Sequence, residues 1–184
     1  MPIDPMEMVF RTPCESQEGV RLLSPPDSSF EQAYLRLRTR EGRVYSDPQV
    51  ALLPRLSTDD PTLRSEWAAR AVSASHLAEF LRASAPRRLL EVGCGNGWLS
   101  ALLCRSLPNT DIFALDVNLT ELAQGRRVFR DNRLEFCCGN ILQGLFKPGV
   151  FDAVVLAASI QYFDDLPRLI AALKATLTTN GSIH

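Results

Sequence analysis

From residue 87 to 184 the apolar positions fall into short runs and helical stripes that take turns along the chain. Arg88–Val92 is a brief apolar run ending in glycines; 111–117 and Leu134–Cys138 repeat that form, and 151–158 is almost wholly apolar. Runs of this length without polar alternation predict strands covered on both faces. Between them, 98–107 reads as a helix stopped by Pro108, and 119–130 as a second helix despite Gly125, which costs about 1 kcal/mol there. Leu166, Leu169, Ile170, Leu173 and Leu177 mark a third, capped by Asp165 and closed by Asn180-Gly181, after which Ser182-Ile183-His184 starts one more strand. Upstream, Asp60-Pro61 is a helix start, because aspartate caps the free N–H groups and proline fits the first turn. Leu63, Trp67, Ala71, Ala74, Leu77, Ala78 and Leu81 then recur at helical spacing. The alternation predicts an α/β fold: a doubly wound, mainly parallel sheet with about five core strands.

The first 59 residues read differently. Eight of the twelve prolines lie in the first 61 positions, and the first thirty residues keep no period of 2 or 3.6. They are expected to form an irregular extension that lies on the body or is partly disordered. Leu35, Leu37 and Thr39 alternate with Arg36, Arg38 and Arg40, and Glu41-Gly42 offers a turn before Val44-Tyr45, which reads as a short β-hairpin. The alternative is one irregular helix from Ser29. The organisation expected is therefore a Pro-rich extension over 1–59 and a ligand-binding domain over 60–184, with its first helix at 60–83 and its core at 87–184.

Composition narrows the function. Twenty basic and 21 acidic side chains leave a net charge of −1, which argues against a broad nucleic-acid surface or a membrane-binding patch. No apolar run approaches the ~20 residues of a membrane span, and Met1-Pro2-Ile3-Asp4 lacks the blocks of a signal peptide. Cys14, Cys94, Cys104, Cys137 and Cys138 are an odd set with no C-x-x-C pair, so neither a disulfide framework nor a metal site is expected. A reduced, cytoplasmic setting fits.

The chemistry concentrates in Leu89-Leu90-Glu91-Val92-Gly93-Cys94-Gly95-Asn96-Gly97-Trp98-Leu99. Three glycines at alternate positions let the backbone bend sharply and let a ligand approach, and the next helix opens with free N–H groups. A dinucleotide loop would read G-x-G-x-x-G over a pyrophosphate. Here the third glycine comes one residue early, and Glu91 would repel a pyrophosphate while favouring an ammonium or sulfonium. Nineteen residues beyond Gly97, Asp116 ends the second strand and is followed by Asn118 at a helix cap; an acid at that offset accepts hydrogen bonds from both hydroxyls of a ribose.

These segments, with Ala114-Leu115-Asp116-Val117-Asn118, Phe151-Asp152-Ala153-Val154-Val155 and 177–181 in order, resemble the class I S-adenosylmethionine-dependent methyltransferases, over 87–184. The resemblance implies a Rossmann-like domain that binds S-adenosyl-L-methionine. It puts Gly93, Cys94, Gly95, Asn96 and Gly97 under the methionine part and Glu91 near its amino group. Asp116 would take the ribose, Val117 the adenine, and Asn118 would stand beside them. Asn140, with Ile141, takes the place where the family usually has an acid bonding the adenine amino group. The helix 60–83 is similar to the family's covering helix, with Trp67 over the site and Arg64 or Arg70 for the cofactor carboxylate. The family's sheet has seven strands and this chain stops at the fifth, so the sheet is expected to be C-terminally incomplete and the chain a fragment; a partner edge supplied differently is the alternative. The stretches 41–47 and 52–54 also faintly look like the end of small zinc-ribbon partner proteins, without the zinc cysteines.

Transfer is expected outside the carboxyl ends of the central strands, where Ala158 and Ser159 would also contact the cofactor, next to Gln161 and Tyr162. Gln161 and Tyr162 are the candidate catalytic residues, with packing against the next helix as the other role for Tyr162. His76 is expected to be solvated, and His184 is a weak candidate for a base. The missing Asn/Asp-Pro-Pro-aromatic loop and the neutral charge favour a small-molecule acceptor over nucleic acid. Two other functions compete: a catalytically inactive cofactor-binding subunit, and a nicotinamide oxidoreductase.

Overall fold

The computed structural model describes residues 7–26 and 28–184. Its elements are β1 (Glu15–Gln17), β2 (Val20–Leu22), α1 (Ser28–Arg40), α2 (Asp47–Leu52), α3 (Pro61–Ser84), β3 (Arg88–Val92), α4 (Trp98–Ser106), β4 (Asp111–Asp116), α5 (Leu119–Val128), β5 (Leu134–Cys138), β6 (Phe151–Val155), α6 (Leu166–Thr176) and β7 (Leu177–Ile183). One seven-stranded sheet runs in the order β1-β2-β5-β4-β3-β6-β7, parallel except for the β1–β2 hairpin. The five strands β3 to β7 are the expected parallel core.

The apolar strands earn their central places. Successive residues of β3, β4 and β6 send side chains to opposite faces, and both faces are covered. Leu89, Ile112, Ala114, Ala153 and Val155 pack with α3, α4 and α5 on one side. Leu90, Val92, Phe113, Leu115, Phe151 and Val154 pack with α6 and with Val9 and Phe10 on the other. On the second face Phe113, Phe146 and Phe151 meet edge to face, with ring centres 5.0–5.4 Å apart.

Four expectations change. The N-terminal segment is part of the sheet: β1 and β2 form a hairpin at Glu15–Leu22, and β2 pairs in parallel with β5. The alternation at 34–40 is helical instead, and 41–46 are a turn and irregular chain. In α1 the partly buried positions are Glu31, Tyr34, Leu35 and Arg38, three and four residues apart across one helical face that is half charged, while Leu37 is exposed. Because the inward face carries Glu31 and Arg38, an apolar stripe is absent and period 2 is left as the visible pattern. The zinc-ribbon likeness falls on a turn and α2, not on a ribbon. Finally, α6 stops at Thr176 rather than at Asn180-Gly181. Leu177–Ile183 pairs with β6 through a register jump, from Phe151 opposite Leu177 to Ala153 opposite Ser182, and Thr178 Oγ1 donates to Asp152 Oδ1 at 3.3 Å. Asn180 and Gly181 lie inside that irregular edge strand.

Candidate functional site

Chain order reverses around β3: β4 and β5 lie to one side of it, β6 and β7 to the other. The loops leaving β3 and β6 therefore part at their carboxyl ends and open a crevice. The crevice widens into a cavity of about 970 Å³ walled by those loops, the ends of β4 and β5, α3 and α1. Of the sequence-predicted residues, Glu91, Gly93, Cys94, Gly95, Asn96, Asp116, Val117, Asn118, Asn140, Ile141, Ala158, Ser159, Trp67, Gln161 and Tyr162 all line it.

Gly97 does not reach the cavity. A Cβ on it would stand 2.4 Å from Phe136 Cε1, and its φ is +71°, so it is glycine because α4 closes onto the core there. Gly93 faces Ser159 in the same way, with a would-be Cβ 2.4 Å from that residue's Cβ. Ser159 Oγ in turn donates to Val92 O at 2.6 Å and ties the two loops together. Gly95 alone meets no backbone or core side chain: a Cβ built on it would touch the tip of the Glu121 side chain, Oε2 at 3.3 Å. The bend is thus pinned by core packing on two sides and met on the third by the Glu121 carboxylate.

Asp116 points at that bend. Its carboxylate accepts from Gly95 N–H at 2.8 Å and from Asn118 N–H at 2.9 Å. Burial pushes its pKa up despite these donors. Asn118 is buried; its Oδ1 caps α5 by accepting from Glu121 N–H at 3.1 Å, and its Nδ2 has no partner. Glu91 lies on the α4 face of β3, where Ser100 Oγ donates to its carboxylate. Desolvation dominates and raises Glu91 to about 7. Glu121, which the sequence reading did not single out, is also raised to about 7, first by burial and then by the charge of Asp116.

Other residues move in role. Asn140 Oδ1 accepts from Leu142 N–H at 3.0 Å, capping a single turn of helix at Ile141–Gln143. Ala158 has φ +56°, a left-handed conformation that costs a non-glycine residue roughly 1–2 kcal/mol. Gln161 Nε2 holds Ala158 O at 2.7 Å. Tyr162 is half exposed and meets Tyr34 of α1 edge to face across the mouth, 6.1 Å between ring centres. Tyr34 was missed because α1 itself was read as a hairpin; burial, then Glu121, raises its phenol far above the usual range.

The roof is aromatic and basic. Trp67 is buried, donates from Nε1 to Tyr45 Oη at 3.1 Å and packs edge to face on Trp98. Arg70 lies over Trp67 at 4.8 Å, and Arg43 and Arg70 both pair with Glu66. Arg64 turns away and donates to Thr58 O at 2.9 Å, so of the two arginines flanking Trp67 only Arg70 lines the cavity. His76 is exposed as expected. His184 lies on the edge strand against Phe80 and bonds Ser182 Oγ, outside the cavity.

Strand order, crevice and cavity together define a Rossmann-like α/β domain. The family model for the methyltransferase domain matches residues 89–181, and the chain belongs to that family. The malonyl-[acyl-carrier protein] O-methyltransferase of Priestia megaterium is 30% identical over 95 residues, 52% of this chain and 34% of that protein. The demethylmenaquinone methyltransferase of Thermus thermophilus is 30% identical over 138 residues, 74% of this chain and 59% of that protein. A SAM-dependent methyltransferase from Thiobacillus denitrificans, solved in complex with S-adenosyl-L-homocysteine, has a similar fold, with a TM-score of 0.52 at 19% identity over 60% of this chain and 45% of that one. The chain therefore spans about a third of the first relative and under two thirds of the second. Among the described residues no helix is long and apolar enough to cross a membrane.

Proposed function

We propose that this chain binds S-adenosyl-L-methionine and transfers its methyl group to a small-molecule acceptor. The observation that carries the reading is the Asp116 carboxylate, aimed at Gly95, the glycine of the bend that faces the Glu121 side-chain tip rather than the core, at the edge of a cavity of about 970 Å³. The residues present suit the cofactor. The unpartnered Asn118 Nδ2 is an orphaned donor beside Asp116, and the acidic floor of Glu91, Asp116 and Glu121 favours a cation while disfavouring a pyrophosphate.

In this reading Glu91, Gly93, Cys94, Gly95 and Asn96 lie along the amino-acid part, Asp116 takes the ribose, and Val117, Asn118, Asn140 and Ile141 enclose the base. Trp67 covers the site, and Arg70 holds the carboxylate. The cofactor brings a sulfonium-activated methyl group. The chain supplies alignment and exclusion of water, which together lower such barriers by up to ~7–11 kcal/mol. Ala158, Ser159, Gln161 and Tyr162 line the acceptor side; Gln161 sets the loop by holding Ala158 O, and Tyr162 closes on Tyr34. Relatives named for a malonyl thioester and for demethylmenaquinone support a metabolite acceptor. We place the reaction in the cytoplasm, with no nucleic acid involved. Transfer of label from methyl-labelled cofactor into a metabolite extract tests the activity: label in a discrete product supports it, and none above a boiled control refutes it.

A further inference from the structure

Resting on that reading, we propose that Ser24 accepts a hydrogen bond from the amino group of the adenine, so that the chain leaving the N-terminal hairpin is the outer wall of the base pocket. β2 lies parallel to β5, with Arg21 opposite Cys137 and Leu22 opposite Cys138, and the ion pair of Arg21 with Glu135 at 2.7 Å holds that register. Parallel strands end on the same side of a sheet, so the chain leaving β2 emerges beside the loop that leaves β5. Leu23 N–H donates to Cys138 O at 2.8 Å there. A Cβ on Gly139 would stand 3.2 Å from both Leu23 Cβ and Ser24 Oγ, so the Ser24 hydroxyl packs against the residue just before Asn140. Ser24, Pro25 and Pro26 line the same cavity as Val117, Asn140 and Ile141, and the two prolines fix their own φ and stiffen the wall. All three lie outside the segment 89–181 that the family shares.

The hydrogen-bonding groups at this end of the cavity are complementary to the base. Asn140 Oδ1 accepts from Leu142 N–H, a donor that requires an oxygen, so the side-chain amide is held in one orientation and offers Nδ2 as its donor. Among the described residues neither Asn140 Nδ2 nor Ser24 Oγ has a hydrogen-bond partner. Adenine presents an acceptor, N1, next to a donor, its 6-amino group. Nδ2 suits the first and the serine hydroxyl suits the second. The family resemblance gives the amino group to position 140. Here the oxygen at that position is turned to the backbone, and the hydroxyl packed beside Gly139 from the neighbouring strand is the uncommitted side-chain acceptor. An extension outside the shared domain thereby takes over a contact that the domain's own loop has given up.

The test is calorimetry with two probes: S-adenosylhomocysteine, and its analogue carrying hydrogen in place of the 6-amino group. If neither binds the unsubstituted chain, the methyl-transfer reading falls and this inference with it; if S-adenosylhomocysteine binds, the inference stands or falls alone. The unsubstituted chain is expected to prefer S-adenosylhomocysteine by about tenfold, the worth of one hydrogen bond. Ser24→Ala should remove most of that preference, weakening S-adenosylhomocysteine by about fivefold or more while the analogue stays within about twofold, and Ser24→Thr, which keeps the hydroxyl, should restore it. A merely structural wall would not separate the two probes. Equal binding of both by the unsubstituted chain, an equal loss of both in Ser24→Ala, or a preference that survives Ser24→Ala would each overturn the proposal. Should Ser24→Ala fail to fold, Ser24→Gly takes its place with the same expected result.

Discussion

The floor and the roof of the cavity are built on different principles. The floor is the end of β3, the glycine bend and the start of α4, clamped by Ser159, Phe136 and Asp116 at distances where a single added methyl group would collide. The roof is α1, the turn after it and α3, joined by shared ion pairs, aromatic edges and one indole hydrogen bond. Close packing fails when atoms are added; ion pairs in partial contact with water contribute little each. The floor should therefore govern folding, and the roof should govern what binds.

That contrast can be broken first at Gly97. Gly97→Ala drives a Cβ into Phe136 and holds alanine at φ +71°, so overpacking and backbone strain together should cost about 3–5 kcal/mol by urea denaturation. Gly144→Ala, also at positive φ but with open space around it, should cost only about 1 kcal/mol. Similar losses at the two sites would show that strain, not the clamp, sets the floor.

The next effect is proton-linked. Glu91 is raised from 4.5 to about 7, so between those values the unfolded chain has already released a proton that the folded chain keeps. Stability without ligand should fall as pH rises through that window, by up to about 3 kcal/mol at about 1.4 kcal/mol per pH unit, and should level off above it. Asp116 and Glu121 act in the same sense. Urea midpoints from pH 4.5 to 8 measure the slope, and Glu91→Gln should reduce it by the Glu91 share, leaving that of Glu121 and Asp116; an unchanged slope would mean that Glu91 is ionised in the fold.

Asp116→Ala should weaken S-adenosylhomocysteine binding about 100-fold, since two ribose hydroxyls and the Gly95 N–H lose their acceptor. On the roof, Tyr45→Phe strands the buried Trp67 Nε1–H and should cost about 1–2 kcal/mol of stability. Arg64→Ala, exposed and bonded only to Thr58 O, should change stability by less than about 0.5 kcal/mol and leave cofactor affinity alone.

The same contrast explains what the sequence revealed. Floor residues are close in sequence and carry local signatures: an apolar strand, alternate glycines, an acid at the next strand's end. Their positions were legible, although the reason for Gly97 was not, because Phe136 reaches it only through the fold. The roof depends on contacts between distant segments. Tyr34 and Arg38 were hidden because α1 turns charged side chains inward, and Glu121 because nothing in its own sequence context marks a cap residue's neighbour as a cavity wall. The β1–β2 hairpin was hidden for a related reason: three-residue strands exist only by pairing with β5.

The central claim is that the Gly95 side of the glycine bend, with Asp116 beside it, seats an adenosine carrying an amino-acid tail. Calorimetric titration of the chain with S-adenosylhomocysteine and, separately, with NAD tests it most directly. The account predicts one saturable site for S-adenosylhomocysteine, lost in Asp116→Ala, and no heat from NAD; binding of NAD without S-adenosylhomocysteine, or undiminished affinity in Asp116→Ala, would contradict it.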